Sequence, residues 1–168
     1  MAMRIDIISA VPDLLTSPLE TSIIKRAQDK QKVEIYVHNL RDYTHDKHKQ
    51  IDDKPFAGGP GMLLKPEPFF ECIEHLKSER NYDHIIFTSP SGVKYDQKTA
   101  NRFSLAKNII IIAGHYKGID DRVREVFATD EVSIGNFVLS GGELLALVIV
   151  DSVVRLIPGV LNDSESAL

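Results

Sequence analysis

The sequence contains a single cysteine, Cys72, and no tryptophan. One thiol cannot close an internal disulfide, so the chain suits a reducing, cytoplasmic compartment. Long apolar runs are missing too. The longest, Leu144 to Val150, is bracketed by Glu143 and Asp151 and falls far short of the ~20 residues that span a bilayer. No secretory leader is readable, because Asp6 interrupts the first apolar run. There is no basic excess: 20 Lys and Arg stand against 24 Asp and Glu, a net charge of −4. That argues against a surface that is a nucleic-acid footprint throughout and leaves room for a local basic patch. Several short motifs are absent as well. No G-x-G-x-x-G follows the first apolar strand, and Gly58-Gly59-Pro60-Gly61 lacks P-loop spacing, so a dehydrogenase or nucleotide kinase is unsupported.

What is present is an alternation of strand and helix patterns in 168 residues, enough for one domain. Strands are expected at Ile5–Ser9, Val33–Val37, His84–Thr88 and Asn108–Ala113. The third of them should end in the turn Ser89-Pro90-Ser91-Gly92. Helices are expected from Ser17 to about Lys30, Pro66–Arg80, Tyr95–Ala106, Asp120–Ala128 and Glu143–Ile157. Ser17-Pro18-Leu19-Glu20 reads as a capping box with Pro at the first helical position. The alternation predicts an α/β fold, a mainly parallel sheet with helices on both faces. Residues 41 to 65 break the pattern and read as a long loop, the kind that is usually functional or disordered. Residues 1–160 form the expected domain. The polar tail, 161–168, reads either as the start of a linker or as a frayed terminus.

Two glycine-bearing stretches carry the chemistry. Gly114-His115-Tyr116-Lys117-Gly118 follows the strand Ile109–Ile112, and Ser133-Ile134-Gly135 through Ser140-Gly141-Gly142-Glu143 leads into the last helix. A buried strand that breaks into such a loop lets backbone approach a ligand and leaves N–H groups free to bind it. Two of them imply one pocket lined mostly by main chain. Ser140-Gly141-Gly142-Glu143 is also a capping box, with Glu143 at the positive end of a helix. Arg155, on that apolar helix, either snorkels to water or points into a site. The segment Arg41 to Phe56 mixes cations, histidines and aromatics. It suits either a grip on a phosphate backbone or a solvated loop whose aspartates offset its charge. His45 and His48 are weak as metal ligands amid Arg41, Lys47 and Lys49.

Taken in order, these motifs resemble a known family. Arg41-Asp42-Tyr43-Thr44-His45-Asp46, Asp52-Asp53-Lys54-Pro55-Phe56, Gly58-Gly59-Pro60-Gly61-Met62, Ser89-Pro90-Ser91-Gly92, Gly114-His115-Tyr116, Gly118-Ile119-Asp120, Ser133-Ile134-Gly135, Leu139-Ser140-Gly141-Gly142-Glu143-Leu144 and Arg155 to Leu161 are similar to those of the bacterial tRNA (guanine-N1)-methyltransferases, the TrmD type of the SPOUT class. The resemblance covers essentially the whole chain.

It implies an α/β fold with a C-terminal trefoil knot, a homodimer with each active site built from both subunits, and S-adenosylmethionine as methyl donor. The donor would meet Phe87, Thr88, Ser89, Pro90, Gly114, Ile134, Gly135, Asn136, Phe137, Val138, Leu139, Gly141 and Gly142. The implied acceptor is N1 of the guanine that follows the tRNA anticodon. N1 must lose its proton while charge grows on the neighbouring oxygen, and Arg155 matches the arginine that supports this charge. Arg41, His45, Asp46, Lys47, His48, Lys49, Asp52 and Lys54 would contact tRNA. The family's general base, an Asp, matches no residue up to 168, so methyl transfer by these residues alone is expected to be weak. Lys117 stands where the family usually has an acidic residue linked to Mg²⁺, which counts against metal use, and Leu145 replaces a usual Pro.

Overall fold

The computed structural model describes residues 1–55, 61–115 and 118–162. In chain order its elements are β1 (Met3–Ser9), α1 (Asp13–Leu19), α2 (Ser22–Asp29), β2 (Val33–Asn39), a 3-10 turn (Leu40–Tyr43), β3 (Asp52–Asp53), β4 (Leu63–Leu64), α3 (Pro66–Glu79), β5 (His84–Lys94), α4 (Gln97–Ser104), β6 (Asn108–Ala113), α5 (Asp121–Phe127), β7 (Asp130–Ser133) and α6 (Glu143–Val154). Five strands form one sheet in the order β2-β1-β6-β5-β7, every pair parallel.

The pleat sends alternate side chains to opposite faces, and both faces are apolar. Ile5, Ile7, Ile86, Ile109 and Ile111 join Leu15, Leu19, Ile24, Phe103 and the α6 residues Ile149, Val150 and Val153 in one core. Ile8, Ile85, Phe87, Ile110 and Ile112 pack with Phe69, Cys72, Ile73, Leu76, Val123 and Phe127 in the other. Near-continuous Ile runs in the central strands follow from this two-sided burial, and each buried Ile is worth about 1.5–3 kcal/mol. The Cys72 thiol lies in the second core, where burial pushes its pKa up to about 12, so it is an inert packing residue.

A charged network is embedded in this framework. Asp6 is fully buried in β1. Arg4 Nε and Nη2 donate to its carboxylate at 3.0 and 3.1 Å, His38 Nε2 lies at 2.7 Å, and Tyr82 Oη donates at 2.7 Å. Burial alone would raise its pKa, but these three partners outweigh that and hold it below the ordinary carboxylate value. The carboxylate thereby ties β1 to β2 and to the α3–β5 connection.

The structure corrects the sequence reading in four places. The helix expected from Ser17 is two helices, with Pro18 inside α1 and Thr21 at the N-cap position of α2, its hydroxyl donating back to the Ser17 carbonyl. The chain bends between them, with Ser22 at φ +57, so that Leu15, Leu19, Ile24 and Ala27 all reach the core. Strand β5 does not stop at Thr88. It runs to Lys94, with Thr88 and Val93 both opposite Val132, so Ser89–Gly92 bulge out of the ladder. Strand β7, too short and charged to show a period, lies at the sheet edge. The 41–65 segment carries structure of its own: the 3-10 turn opens it and the β3–β4 pair lies at its other end, with Leu40, Ile51 and Leu64 buried beneath.

Candidate active site

The C-terminal ends of β5, β6 and β7 and the start of α6 meet at one edge of the sheet, the edge where open parallel sheets hold ligands. Three loops are laced together there. Buried Thr88 donates its hydroxyl to the Ile112 carbonyl at 2.8 Å, and the Gly114 N–H donates back to Thr88 Oγ1 at 3.4 Å. The Gly142 N–H donates to the Gly114 carbonyl at 2.6 Å, and His115 pairs with Gly141 in an antiparallel bridge. A Cβ on Gly142 would overlap the Thr88 hydroxyl, and one on Gly141 would stand 2.6 Å from His115 Nδ1. The Gly-Gly pair is therefore required by the close approach of neighbouring chain, before any ligand is considered.

Between these loops lies a cavity of about 290 Å³, a size at the lower end of small-molecule sites. Thr88, Ser89 and Pro90 come from the β5 bulge, Gly114, His115 and Gly118 from the loop after β6, and Ile134, Phe137, Val138, Leu139, Gly141 and Gly142 from the loop after β7. Ten of the thirteen residues expected to meet the donor line this one cavity. Phe87 instead packs into the second core below it. Gly135 and Asn136 belong to the same loop without lining the cavity. Gly135 adopts φ +155, with its N–H on the Ser133 hydroxyl, a conformation L side chains rarely take. Among the described lining residues His115 is the one with an ionisable side chain.

Sequence reasoning missed Glu143 here. The Ser140 capping box does not form: Gly142 is the N-cap of α6, without a side-chain bond, and Ser140 is exposed. Glu143 is instead fully buried behind the Gly141–His115 wall, and neither carboxyl oxygen has a hydrogen-bond partner among the described residues. His115 is its ionic neighbour, with Nδ1 3.7 Å from Oε1. Burial raises its pKa to about 7. The available signal was its position, a lone charge opening a helix whose following residues are apolar.

The expected tRNA residues lie together in the segment after β2. Arg41, His45, Asp46, Lys47, His48, Lys49 and Lys54 are exposed and Asp52 is half-buried in β3. Several of them also shape the loop. Arg41 Nη1 donates to the Lys49 carbonyl at 3.1 Å, Asp46 accepts from the Gln50 N–H at 3.0 Å, and His45 Nε2 lies 2.7 Å from Glu71 Oε2. Arg155, expected inside a helix running to Ile157, is instead the half-buried C-cap of α6, one residue past its end at Val154. At 1.5 Å per residue it stands roughly 18 Å from Glu143 along the axis, and it does not line the cavity. The stretch Phe56–Pro60, Tyr116, Lys117 and the tail 163–168 lie outside the described residues. Among the described residues no three His, Cys, Asp or Glu side chains gather as a metal set, and no helix is long and apolar enough to cross a membrane.

Sheet order, bulge and cavity together define an open parallel α/β domain with a cavity walled largely by glycine backbone and apolar side chains at the C-terminal edge of its strands. Comparison with known proteins narrows the class. Residues 3–168 match the family model described as tRNA (Guanine-1)-methyltransferase TrmD. A tRNA (guanine-N(1)-)-methyltransferase from Flavobacterium psychrophilum is 60% identical over 166 residues, 99% of this chain and 74% of the relative. One from Bacteroides fragilis is 55% identical over the same shares. The crystal structure of tRNA (m1G37) methyltransferase from Aquifex aeolicus superposes with a TM-score of 0.89 at 38% identity, covering 97% of this chain and 73% of that one. The chain belongs to the TrmD family of tRNA (guanine-1)-methyltransferases.

Proposed function

We propose that the cavity between the β5 bulge and the two glycine loops is where this tRNA (guanine-N1)-methyltransferase holds S-adenosylmethionine, and that the acceptor is guanine 37 of tRNA, the position for which the similar Aquifex enzyme is named. The observation that carries this is the lining: backbone of Gly114, Gly141 and Gly142 beside the apolar side chains of Ile134, Leu139 and Leu145. Such a wall suits an adenosyl group, whose flat ring takes apolar contact while its edge takes main-chain hydrogen bonds. When bound, the donor supplies an electrophilic methyl on sulfonium. The protein's part is to hold the acceptor base in line, out of its stack, and to support the oxygen charge that grows as N1 loses its proton.

Arg155 is assigned to that charge. Its distance from the cavity within one chain supports a second copy as the source. With Leu144, Leu147, Val148 and Asp151 it falls at spacings of three and four along one side of α6. Leu144 and Val148 are 52% and 42% exposed, unusual for Leu and Val on a helix whose other side is core. Against the same side runs a groove lined by Pro18, Ile23, Ile24, Leu147 and Val148. Two copies joined across these faces would bury the patch and carry Arg155 of each toward the other's cavity. The basic side chains Arg41, Lys47, Lys49 and Lys54 are assigned to the tRNA backbone. Asp46 and Asp52 hold the loop that presents them. The C-terminal strand-to-helix segment is taken to pass through the family knot, and tRNA as substrate places the protein in the cytoplasm.

Calorimetric titration of the protein with S-adenosylmethionine, without RNA, tests the pocket. Micromolar binding at one site per chain supports it, and no heat at millimolar donor rejects it.

A further inference from the structure

Glu143 is unlike any other carboxylate among the described residues. Asp6, the other fully buried acid, has three side-chain hydrogen-bond partners, whereas neither oxygen of Glu143 has one at hydrogen-bond distance, its polar neighbours being His115 at 3.7 Å and Ser9. Such groups are rare in folded proteins, because an unpaired buried carboxyl costs stability that an apolar residue of similar shape would recover. Where the carboxyl sits is informative. It lies under Gly141, whose missing Cβ would be 3.0 Å from Oε2, and beside His115, whose ring lines the cavity. A thin wall of glycine backbone and one imidazole separates it from the ligand space. No acidic side chain lines the cavity itself among the described residues. The donor assigned to this cavity carries a sulfonium charge, and its demethylated product does not.

We infer that Glu143 is the counter-charge of the donor pocket: a carboxylic acid that is mostly protonated at mildly acidic pH while the pocket is empty and gives up its proton when a cationic sulfonium ligand enters. Through His115 it then firms the wall on which the donor rests. The inference rests on the assignment of the cavity to S-adenosylmethionine. Its physical basis is Coulombic. In water two charges several ångströms apart barely interact, but behind a desolvated wall the attraction is several-fold stronger. A carboxyl whose two protonation states are balanced near neutrality is the group whose proton such a charge displaces. The groups that face Glu143 are few. His115 approaches from the loop after β6, Ser9 at the end of β1 is the other polar side chain near enough to act on it, and α6 itself contributes the favourable N-terminal end of its dipole to the ionised form. No other acid competes for the role among the cavity-lining residues described.

The test is proton release on binding, read by calorimetry in two buffers of different ionisation heat at pH 6.5, with S-adenosylmethionine and with S-adenosylhomocysteine. The parent protein should release a large fraction of a proton with the sulfonium ligand and little with the thioether. Its affinity for the sulfonium ligand should rise about tenfold between pH 5.5 and 7.5. E143Q, neutral at every pH, should show neither effect, while H115N should keep the release. Equal release with both ligands, or release that survives E143Q and disappears in H115N, overturns the inference and assigns the proton to another group. Should E143Q fail to fold, the parent's pH profile and the comparison of its two ligands decide alone. Absence of binding by either ligand rejects the pocket assignment and this inference with it. Binding without proton release rejects this inference only.

Discussion

Thr88 and Gly142 approach so closely that a single added carbon on the glycine would overlap the threonine hydroxyl. That hydroxyl already donates to the Ile112 carbonyl, so swinging away would break a buried hydrogen bond. Gly142→Ala is therefore expected to spread the wall between β5 and α6. It should cost about 1–3 kcal/mol of stability by overpacking and lower donor affinity by at least tenfold. Thermal unfolding and donor titration on the same sample check both. An alanine variant with parental affinity would mean that the ligand does not rest on this junction.

The buried Glu143 makes stability depend on pH in a definite direction. In the unfolded chain its carboxyl ionises near 4.5, and in the folded chain near 7. Between those values the folded state holds the extra proton, so this group's contribution falls as pH rises from about 4.5 to 7 and is flat beyond. The full span corresponds to about 3 kcal/mol. Denaturant melts of parent and E143Q should diverge across that window, with E143Q the more stable at pH 8. Parallel profiles would show that the carboxyl is solvated.

Asp6 has the opposite sign. Its folded pKa lies below the ordinary 3.8, so its contribution is present in full above that value and is lost as pH drops through the folded one. Removing the carboxylate by Asp6→Ala leaves Arg4, His38 and Tyr82 facing an emptied buried site, which should cost about 3–5 kcal/mol. Denaturant midpoints of the variant at pH 7 measure it. A loss below about 1 kcal/mol, the ordinary worth of an exposed ion pair, would place the network at a wetter surface than the structure has it.

On the α6 face, Leu144→Asp with Val148→Asp should convert a dimer to a monomer in sedimentation equilibrium while leaving the folded domain's circular dichroism unchanged. Arg155→Ala should leave donor affinity within twofold and reduce whatever methyl transfer the parent supports by about 10²-fold, as for the removal of a charge-stabilising donor. A dimer that survives both aspartates would detach Arg155 from the shared-site proposal.

Charge removal in the loop after β2 is read through salt. Lys47→Ala with Lys49→Ala should weaken tRNA binding and lower the slope of log affinity against log salt by about 2, one for each phosphate no longer neutralised. An unchanged slope would mean that these exposed lysines stay in solvent when tRNA binds.

Much of this architecture was readable in the chain itself, for a physical reason. Ile109–Ile112 and Ile85–Phe87 are buried on both faces, so their apolar runs mark them as central strands, and the Pro at the start of α3 marks its first turn. Glycine was informative where the backbone is crowded, as at Gly141 and Gly142. The misses share a different cause: they depend on tertiary neighbours. Ser89–Gly92 read locally as a turn, yet it is a bulge because Val132 draws Val93 back into the ladder, and Gly92 is needed there because a Cβ would stand 2.6 Å from the Glu131 carbonyl carbon. Glu143 had the spacing of a capping residue, but the Gly142 N–H is taken by the Gly114 carbonyl, a partner 28 residues earlier in the sequence. No periodicity reports such a pairing.

The central claim is that the three laced loops enclose the adenosyl group of a sulfonium donor. A crystal structure of the chain grown with S-adenosylmethionine tests it most directly. Density for the adenosyl group between residues 88–90 on one side and 134–142 on the other, with main-chain contacts to Gly114 or Gly141, is the result expected. Density for the donor elsewhere, or a cavity closed by Phe137 and Leu139 at saturating donor, would contradict it.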